Sequence, residues 1–470
     1  MNEPLWSWPA RDLVAAMKER DVSAREVLES HLARIEAVNP RVNALVSLDP
    51  DRAHDAALTA DEAVARGEPT GALHGLPFAF KDTHEVAGWR TTYGSPVHAD
   101  HVPERDDLLV ERIRASGVVV VGRSNVPEFA AGSHTFNPLF GTTLNPYDLT
   151  RSAGGSSGGA AAALASGMVP LADGSDMGGS LRNPASFCNV VGLRPSLGRV
   201  PLWPALNAWE TTAVAGPMAR DVADLALMLS VVAGPDPRVP TALSESGAVF
   251  WPLDNGSLAG LKVALSPDLG GAYAVDPSVA AVVESAASLL SEQGASVTGA
   301  YPSLPEADDT FRTLRAWHFH SALGPLLAAH PDSFKQSLAD NIRAGASLTG
   351  ADVARAYAQR TTLAQRMVDF FGEHDVLVTP VSQVPPFPAD QEFPTTVAGQ
   401  PMESYLDWMR SAYLITVTGC PALSVPAGFT PDGLPVGIQI IAPHNHERRL
   451  LEIGYAFEQA TGFGRRRPDL

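Results

Sequence analysis

Two runs of small residues constrain this chain more than any other feature. Arg151–Gly159 reads R-S-A-G-G-S-S-G-G and Gly174–Ala185 reads G-S-D-M-G-G-S-L-R-N-P-A. An apolar helical run, Ala160–Ser166, and a strand-like run, Val169–Ala172, lie between them. Glycine at this density weakens helices and strands, so both runs are expected as loops at the ends of regular elements. Glycine also permits positive φ and close backbone approach, so the glycines before Ser180 can aim several N–H groups at one point beside its hydroxyl. Such a cluster of donors stabilises an oxyanion. A single Gly-Ser loop reads as readily as a flexible connection. Two of them, holding Ser156 and Ser180 24 residues apart, point to a site.

A serine hydroxyl is a weak nucleophile at neutral pH and needs a base within hydrogen-bond reach, directly or through a relay. Lys81 is the candidate. Leu73–Lys81 reads as a buried strand carrying Leu76, Phe78 and Phe80. It delivers Lys81 and Asp82 at its C-terminal end, where open α/β sheets keep their chemistry. A lysine with the ordinary pKa of ~10.4 is neutral in about one molecule in 250 at pH 8, so burial has to favour the free amine. Phe78 and Phe80 are expected to supply that apolar setting.

The rest of the chain alternates helical and strand patterns, which marks an α/β architecture. The first 70 residues are expected to be helical, with Ser23 and Glu26 as a capping box and Asn39-Pro40 ending the helix. Asp107–Ser116, Ala223–Ala233, Pro277–Glu292 and Glu447–Thr461 read as helices. Val118–Val121, Lys262–Leu265, Asp375–Thr379, Ala422–Val425 and Val436–Ile441 read as strands. Residues 305–372 carry helical patterns without strands and are expected to cap the sheet. Cys188 and Cys420 sit in separate apolar stretches and are expected as free buried thiols.

With these residues in place the chain resembles the amidase signature family. The resemblance rests on the two loops, their spacing and the upstream strand lysine. It runs from Leu73 through Leu202 and returns at Thr418–Ala442, whereas residues 235–370 match poorly. It implies one amidase domain over 1–470, with an N-terminal helical segment 1–70, a signature core 71–235, a variable, partly helical cap 236–372 and a return to the sheet over 373–470. The fold implied is a large twisted mixed sheet of about ten or more strands flanked by helices on both faces. By the same resemblance Ser180 attacks the carbonyl, Ser156 adopts a cis peptide and relays the proton, and Lys81 receives it. The backbone N–H groups of Met177, Gly178, Gly179 and Ser180 would form the oxyanion hole. Ser157 would support the turn by hydrogen bonding, and Asp176 and Arg182 would form a buried ion pair beneath the loop. The reaction implied is hydrolysis of a small or medium carboxamide to a carboxylate and ammonia or amine through an acyl-enzyme, with no cofactor and no metal. Met177 stands where the family often has Thr, and Asn183 precedes Pro184 at a variable position; neither change removes a backbone N–H.

Other readings stay open on the residues alone. Gly155–Gly159 and Gly154–Gly158 both satisfy G-x-S-x-G, the nucleophile elbow of α/β-hydrolases. An esterase of that kind using Ser157 needs an acid and a histidine such as Asp375 and His444. Phosphate binding is disfavoured by the lack of G-x-x-x-x-G-K-[ST]. The pairs His318/His320 and His444/His446 lack the company of a metal site. Within the family the alternative is one subunit of an amidotransferase that works on charged transfer RNA. Against it stand Val126-Pro127-Glu128 and an excess of 52 acidic over 34 basic residues, a formal charge of -18 that repels phosphate backbones and anionic lipid. The expected partner is therefore a small-molecule amide, with no nucleic acid and no membrane, and the chain is expected as a monomer or homodimer. The longest apolar run, Leu225–Ala233, is far short of the ~20 residues of a span. Met1–Arg20 holds Glu3, Arg11, Asp12, Lys18 and Glu19 and no secretory apolar run. Together with free thiols this indicates the cytoplasm. Phe136, Trp203, Trp209, Trp317, Phe319, Tyr405 and Trp408 serve equally as an acyl pocket or as core.

Overall fold

The computed structural model describes residues 3–470. Its main strands are β1 (Leu45–Val46), β2 (Pro77–Lys81), β3 (Val119–Ser124), β4 (Leu171–Asp176), β5 (Val191–Arg194), β6 (Val214–Ala219), β7 (Lys262–Leu265), β8 (Ser296–Gly299), β9 (Val376–Pro380), β10 (Ala422–Phe429) and β11 (Pro435–Ile441). Its helices are α1 (Ala10–Glu19), α2 (Ala24–Val42), α3 (Pro50–Arg66), α4 (Leu108–Ala115), α5 (Gly158–Ala165), α6 (Arg182–Phe187), α7 (Val222–Val232), α8 (Pro277–Glu292), α9 (Ala307–Ala329), α10 (Gln336–Ala346), α11 (Gly350–Phe371), α12 (Arg410–Thr416) and α13 (Glu447–Thr461).

Eight strands pair in the order β8-β7-β9-β11-β10-β5-β6-β4, parallel from β8 to β9 and antiparallel beyond. A separate sheet has the order β1-β3-β2. The two meet where β2 runs beside β4, joined by the Lys81 N–H donating to Asp173 Oδ1 at 3.0 Å in place of a backbone ladder. The largest sheet thus holds eight strands, short of the ten or more expected in one sheet.

Strand alternation sorts the core into two sides. Val263, Val376, Val378, Leu423, Val425, Ile438 and Ile440 pack in one cluster with Val283 and Ala286 of α8 and with Leu450, Leu451 and Phe457 of α13. Their neighbours Ala264, Leu377, Ala422 and Ile441 point the other way, into a cluster with Phe187 of α6, Phe311 of α9, Met367 of α11 and Tyr413 of α12. Helices therefore cover both faces. A smaller cluster around Phe319, Phe334, Leu338 and Ile342 binds α9 to α10, so residues 305–372 are helical, as the patterns indicate.

Two local expectations need correcting. The Ser23–Glu26 capping box forms, but α2 continues through Pro40 to Val42. Proline forfeits little in a last turn, and the stop comes at Asn43, whose φ of 55° sends its N–H back to Asn39 O. The strands β5, β6 and β8 escape a periodicity reading. V-G-L-R and V-A-G-P-M-A carry glycine or proline, and S-V-T-G is an edge strand that is mostly exposed. Among the described residues no helix is long and apolar enough to cross a membrane.

Candidate active site

Alternation along β2 puts Lys81 on the face of Ala79 and sends Phe78 and Phe80 to the opposite face, where their rings lie 4.9 Å apart. The two phenylalanines are therefore not the setting of the amine. Hydroxyls are. Lys81 is fully buried, and its Nζ lies 2.8 Å from Ser156 Oγ, 2.9 Å from Ser157 Oγ and 3.0 Å from Ser175 Oγ. An ammonium donates to all three. A neutral amine donates to two and accepts the proton of the third, so neither charge state leaves a buried group unpaired. Burial pushes the lysine down to about 7, against the pull of Asp173 and Asp176 upward. Ser175 is a site residue that sequence reasoning missed; its signal is the alternation of β4, which places it on the face of Asp173.

The first glycine loop delivers Ser156 and Ser157 to this amine just before α5. The Gly155–Ser156 peptide is cis. Gly159 permits the approach: a Cβ there would stand 2.3 Å from Asn125 N. The second loop delivers Ser180. Its Gly179 has φ +112°, and a Cβ there would meet Ala412 Cβ at 2.6 Å, so α12 packs hard against the turn.

Ser180 is 8% exposed. Among the described residues its hydroxyl has no hydrogen-bond partner, Ser156 included, while its carbonyl accepts the Ser157 N–H at 3.2 Å. Of the four N–H groups expected to face an oxyanion, that of Gly179 donates instead to Asp176 Oδ1 at 2.9 Å. Those of Met177, Gly178 and Ser180 make no bond among the described residues and remain available.

Asp176 organises the turn from below. It also accepts the Leu181 N–H at 3.2 Å and two bonds from Arg182, at 3.0 and 2.9 Å. Arg194, absent from the sequence expectation, stands 3.4 Å away. Burial pushes the Asp176 carboxyl up, but Arg182 and then Arg194 hold it well below the usual carboxylate range. Arg182 spends its remaining donors on Ala412 O, Gln439 Oε1 and Thr416 Oγ1, which ties the turn to α12 and β11.

On the other side Met177 is partly exposed and faces the cap. Arg315 of α9 brings Nη1 within 3.2 Å of Met177 Sδ and donates Nη2 to Tyr405 OH at 2.9 Å and Nε to Asn341 Oδ1 at 3.1 Å. Its guanidinium stacks 4.1 Å over Phe319. Lys335 Nζ lies 5.1 Å over Phe136 and 5.8 Å over Tyr405. Three of the aromatic candidates, Phe136, Phe319 and Tyr405, therefore gather beside the second loop. The others do not: Trp408 stacks on Phe187 and meets Phe387 edge-on in the core, Trp317 meets Tyr357, Trp203 lies under Arg238, and Trp209 is 66% exposed.

The nucleophile-elbow arrangement is not assembled. Ser157 Oγ bonds to Lys81, His444 Nδ1 to Gly419 O at 3.1 Å, and Asp375 accepts the Lys262 N–H at 2.8 Å. Among the described residues no three His, Cys, Asp or Glu side chains converge as metal ligands.

Comparison with known proteins shows the family. The family model described as Amidase matches residues 26–451. The chain is 36% identical over 479 residues to an acylamidase of Rhodococcus erythropolis, covering 100% of this chain and 98% of that protein. It is also 36% identical over 484 residues to a glutamyl-tRNA(Gln) amidotransferase subunit of Synechococcus sp. (strain CC9605), covering 96% of each. The crystal structure of a bacterial aryl acylamidase of the amidase signature family superposes with a TM-score of 0.93 at 30% identity, over 98% of both chains. On sequence and fold over nearly its whole length, the chain belongs to the amidase signature family.

Proposed function

We propose that this hydrolase of amide carbon–nitrogen bonds works through an acyl-enzyme at Ser180, with Ser156 as proton relay and Lys81 as base. The observation that carries the reading is a fully buried amine, its pKa pushed down to about 7 by burial, whose ligands are hydroxyls of both glycine loops or their flanks. Ser180 Oγ attacks the carbonyl carbon as its proton passes to Ser156 Oγ and the Ser156 proton passes to Lys81 Nζ. The carbonyl oxygen takes the negative charge before the N–H groups of Met177, Gly178 and Ser180. Lys81 returns a proton through Ser156 to the leaving nitrogen, the C–N bond breaks, and water repeats the sequence to free the carboxylate. Substrate binding has to bring Ser180 and Ser156 into contact, since catalytic hydrogen bonds often tighten only in the complex.

The substrate class is a small or medium carboxamide whose acyl part or amine meets Met177, Phe136 and Tyr405. Residues 1–470 act as one amidase domain, a reading supported by a core cluster that runs from Ala10 to Phe457. The eight- and three-stranded sheets serve it as one platform of more than ten strands, because β2 and β4 lie side by side. Two free buried thiols, Cys188 and Cys420, support a cytoplasmic enzyme; monomer and homodimer both fit. A fluorophosphonate probe should label the native protein and not Ser180→Ala, and a panel of primary amides and anilides should release ammonia or amine. Labelling that persists in Ser180→Ala refutes the assignment. The likeness to the glutamyl-tRNA(Gln) amidotransferase carries a second reading, a part of a transfer-RNA-dependent complex. Turnover of free amides by the chain alone, unchanged by added transfer RNA, decides against it.

A further inference from the structure

We propose that His84, acting through Asp173, sets the proton affinity of the Lys81 amine and with it the pH at which the site becomes active. This rests on the role proposed for Lys81. Neither residue touches the reacting atoms; both are positioning residues. His84 follows β2 in the chain and is buried. Its Nδ1 lies 2.9 Å from Oδ2 of Asp107, whose Oδ1 caps α4 by accepting the Val110 N–H. Its Nε2 lies 3.3 Å from Asp173 Oδ2, at ion-pair distance but outside hydrogen-bond geometry. Asp173 accepts the backbone N–H of Lys81 through Oδ1.

Two carboxylates bear on the Lys81 amine, and they differ in one respect. Asp176 is held by two arginines, Arg182 and Arg194, whose charge does not change across the range in which a histidine titrates. Asp173 has only His84 at ion-pair distance among the described residues. Its field at Lys81 therefore depends on whether the imidazole is protonated. Protonated His84 offsets Asp173, and burial then keeps Lys81 easily deprotonated. Neutral His84 leaves the carboxylate uncompensated, and Lys81 holds its proton. Lys81, Arg123 and Asp82 are the other charged groups around His84. Arg123 of β3 donates to the carbonyls of both Lys81 and His84, and Asp82 faces Arg123 at 3.5 Å. Asp107, on the far side, raises the affinity of the imidazole for its proton despite burial. A cavity of about 300 Å³, lined by His84, Asp107, Trp203, Glu210 and His318 among others, reaches the imidazole and gives water access to it.

The test is the pH dependence of fluorophosphonate labelling at Ser180 from about pH 5 to pH 10, which needs no knowledge of the substrate. His84→Gln should move the ascending limb to higher pH, and Asp173→Asn should move it to lower pH. Each shift should be about one pH unit, the size Coulomb's law gives for one charge ~10 Å away at an effective dielectric of ~20. Asp107→Asn, which keeps an oxygen to cap α4, should follow His84→Gln with a smaller shift. Asn at 173 still accepts the Lys81 N–H, so a purely structural role predicts no opposed shifts. Limbs that stay in place, or that move the same way in His84→Gln and Asp173→Asn, overturn the proposal. A native protein that labels at a rate independent of pH overturns the role of Lys81 itself, and the proposal with it.

Discussion

The two sides of the site are built on different terms. On the sheet side Lys81, Ser156, Asp176 and Arg182 are at most 1% exposed, and each has hydrogen-bond partners in the fold. On the cap side Met177 is partly exposed, and Arg315 spends one guanidinium nitrogen on a thioether, a weak acceptor. The contrast extends to charge. The buried arginines 123, 182, 194 and 199 each face a carboxylate, and Arg220 is bonded to the carbonyls of Trp6 and Trp8. Arg315 has no ion pair among the described residues. Arg315 is also buried with its bonds inside the fold, but its contact to the second loop is to a thioether, the weakest of its acceptors and the one given up to a ligand at least cost. The function proposed above puts chemistry on the sheet side and assigns recognition to the cap.

The hardest blow to this contrast falls on the sheet side. Ser180→Ala should lower kcat by more than ~10³, as for a nucleophile acting in a unit. Retention of a tenth of native turnover would place the chemistry elsewhere. Lys81→Met should lose activity on the same scale and yet resist heat better, because a buried amine with a depressed pKa costs stability. The sign follows from proton binding. Between about 7, where Lys81 titrates in the fold, and 10.5, its ordinary value, the unfolded chain binds the extra proton. Native stability therefore rises with pH through that window, and the advantage of Lys81→Met should be largest below pH 7 and fade toward 10.5. Thermal melts of both proteins across that range check it, and an advantage that grows with pH contradicts it.

Asp176 should behave in the opposite way. Replacing it by Asn leaves Arg182 and Arg194 buried without their counterion, a change that costs about 3–5 kcal/mol when one member of a buried pair is removed. Urea denaturation should show a lowered midpoint, with labelling at Ser180 weakened because Asn offers one acceptor oxygen where the carboxylate serves Gly179, Leu181 and Arg182 with two. A midpoint equal to native would mean that water reaches the arginines.

The parts of this site that were legible in the sequence are those whose backbone has to be unusual. Ser156 and Ser180 stand out because only glycine fits the turns that present them, and Lys81 because a strand has to end in something. Pairings between elements left no such mark. Ser175, Asp173 and His84 become site residues only when β2 lies along β4, and Arg194 only when β5 brings it to Asp176; no periodicity encodes which strands become neighbours. The claim of Asp176 on the Gly179 N–H is of the same kind, since a glycine run shows how many donors exist and not who takes them. The placement of Phe78 and Phe80 is legible, since a period of two puts them opposite Lys81. β5 and β6 were hidden because strands buried on both faces can carry glycine and proline where alternation would otherwise announce them.

The mildest and most discriminating change lies on the cap. Arg315→Met keeps the length and apolar contacts of the side chain against Phe319 but removes the charge beside Met177. If the cap recognises and the sheet reacts, KM for the best amide of the panel should rise about tenfold, the size of one lost charge-assisted hydrogen bond, while kcat moves less than about threefold. The ranking of substrates should change as well, with amides bearing a polar or acidic group losing most. A fall in kcat with KM unchanged would mean that Arg315 braces the second loop through Met177, and the division between the two sides would then run through that side chain instead of beside it.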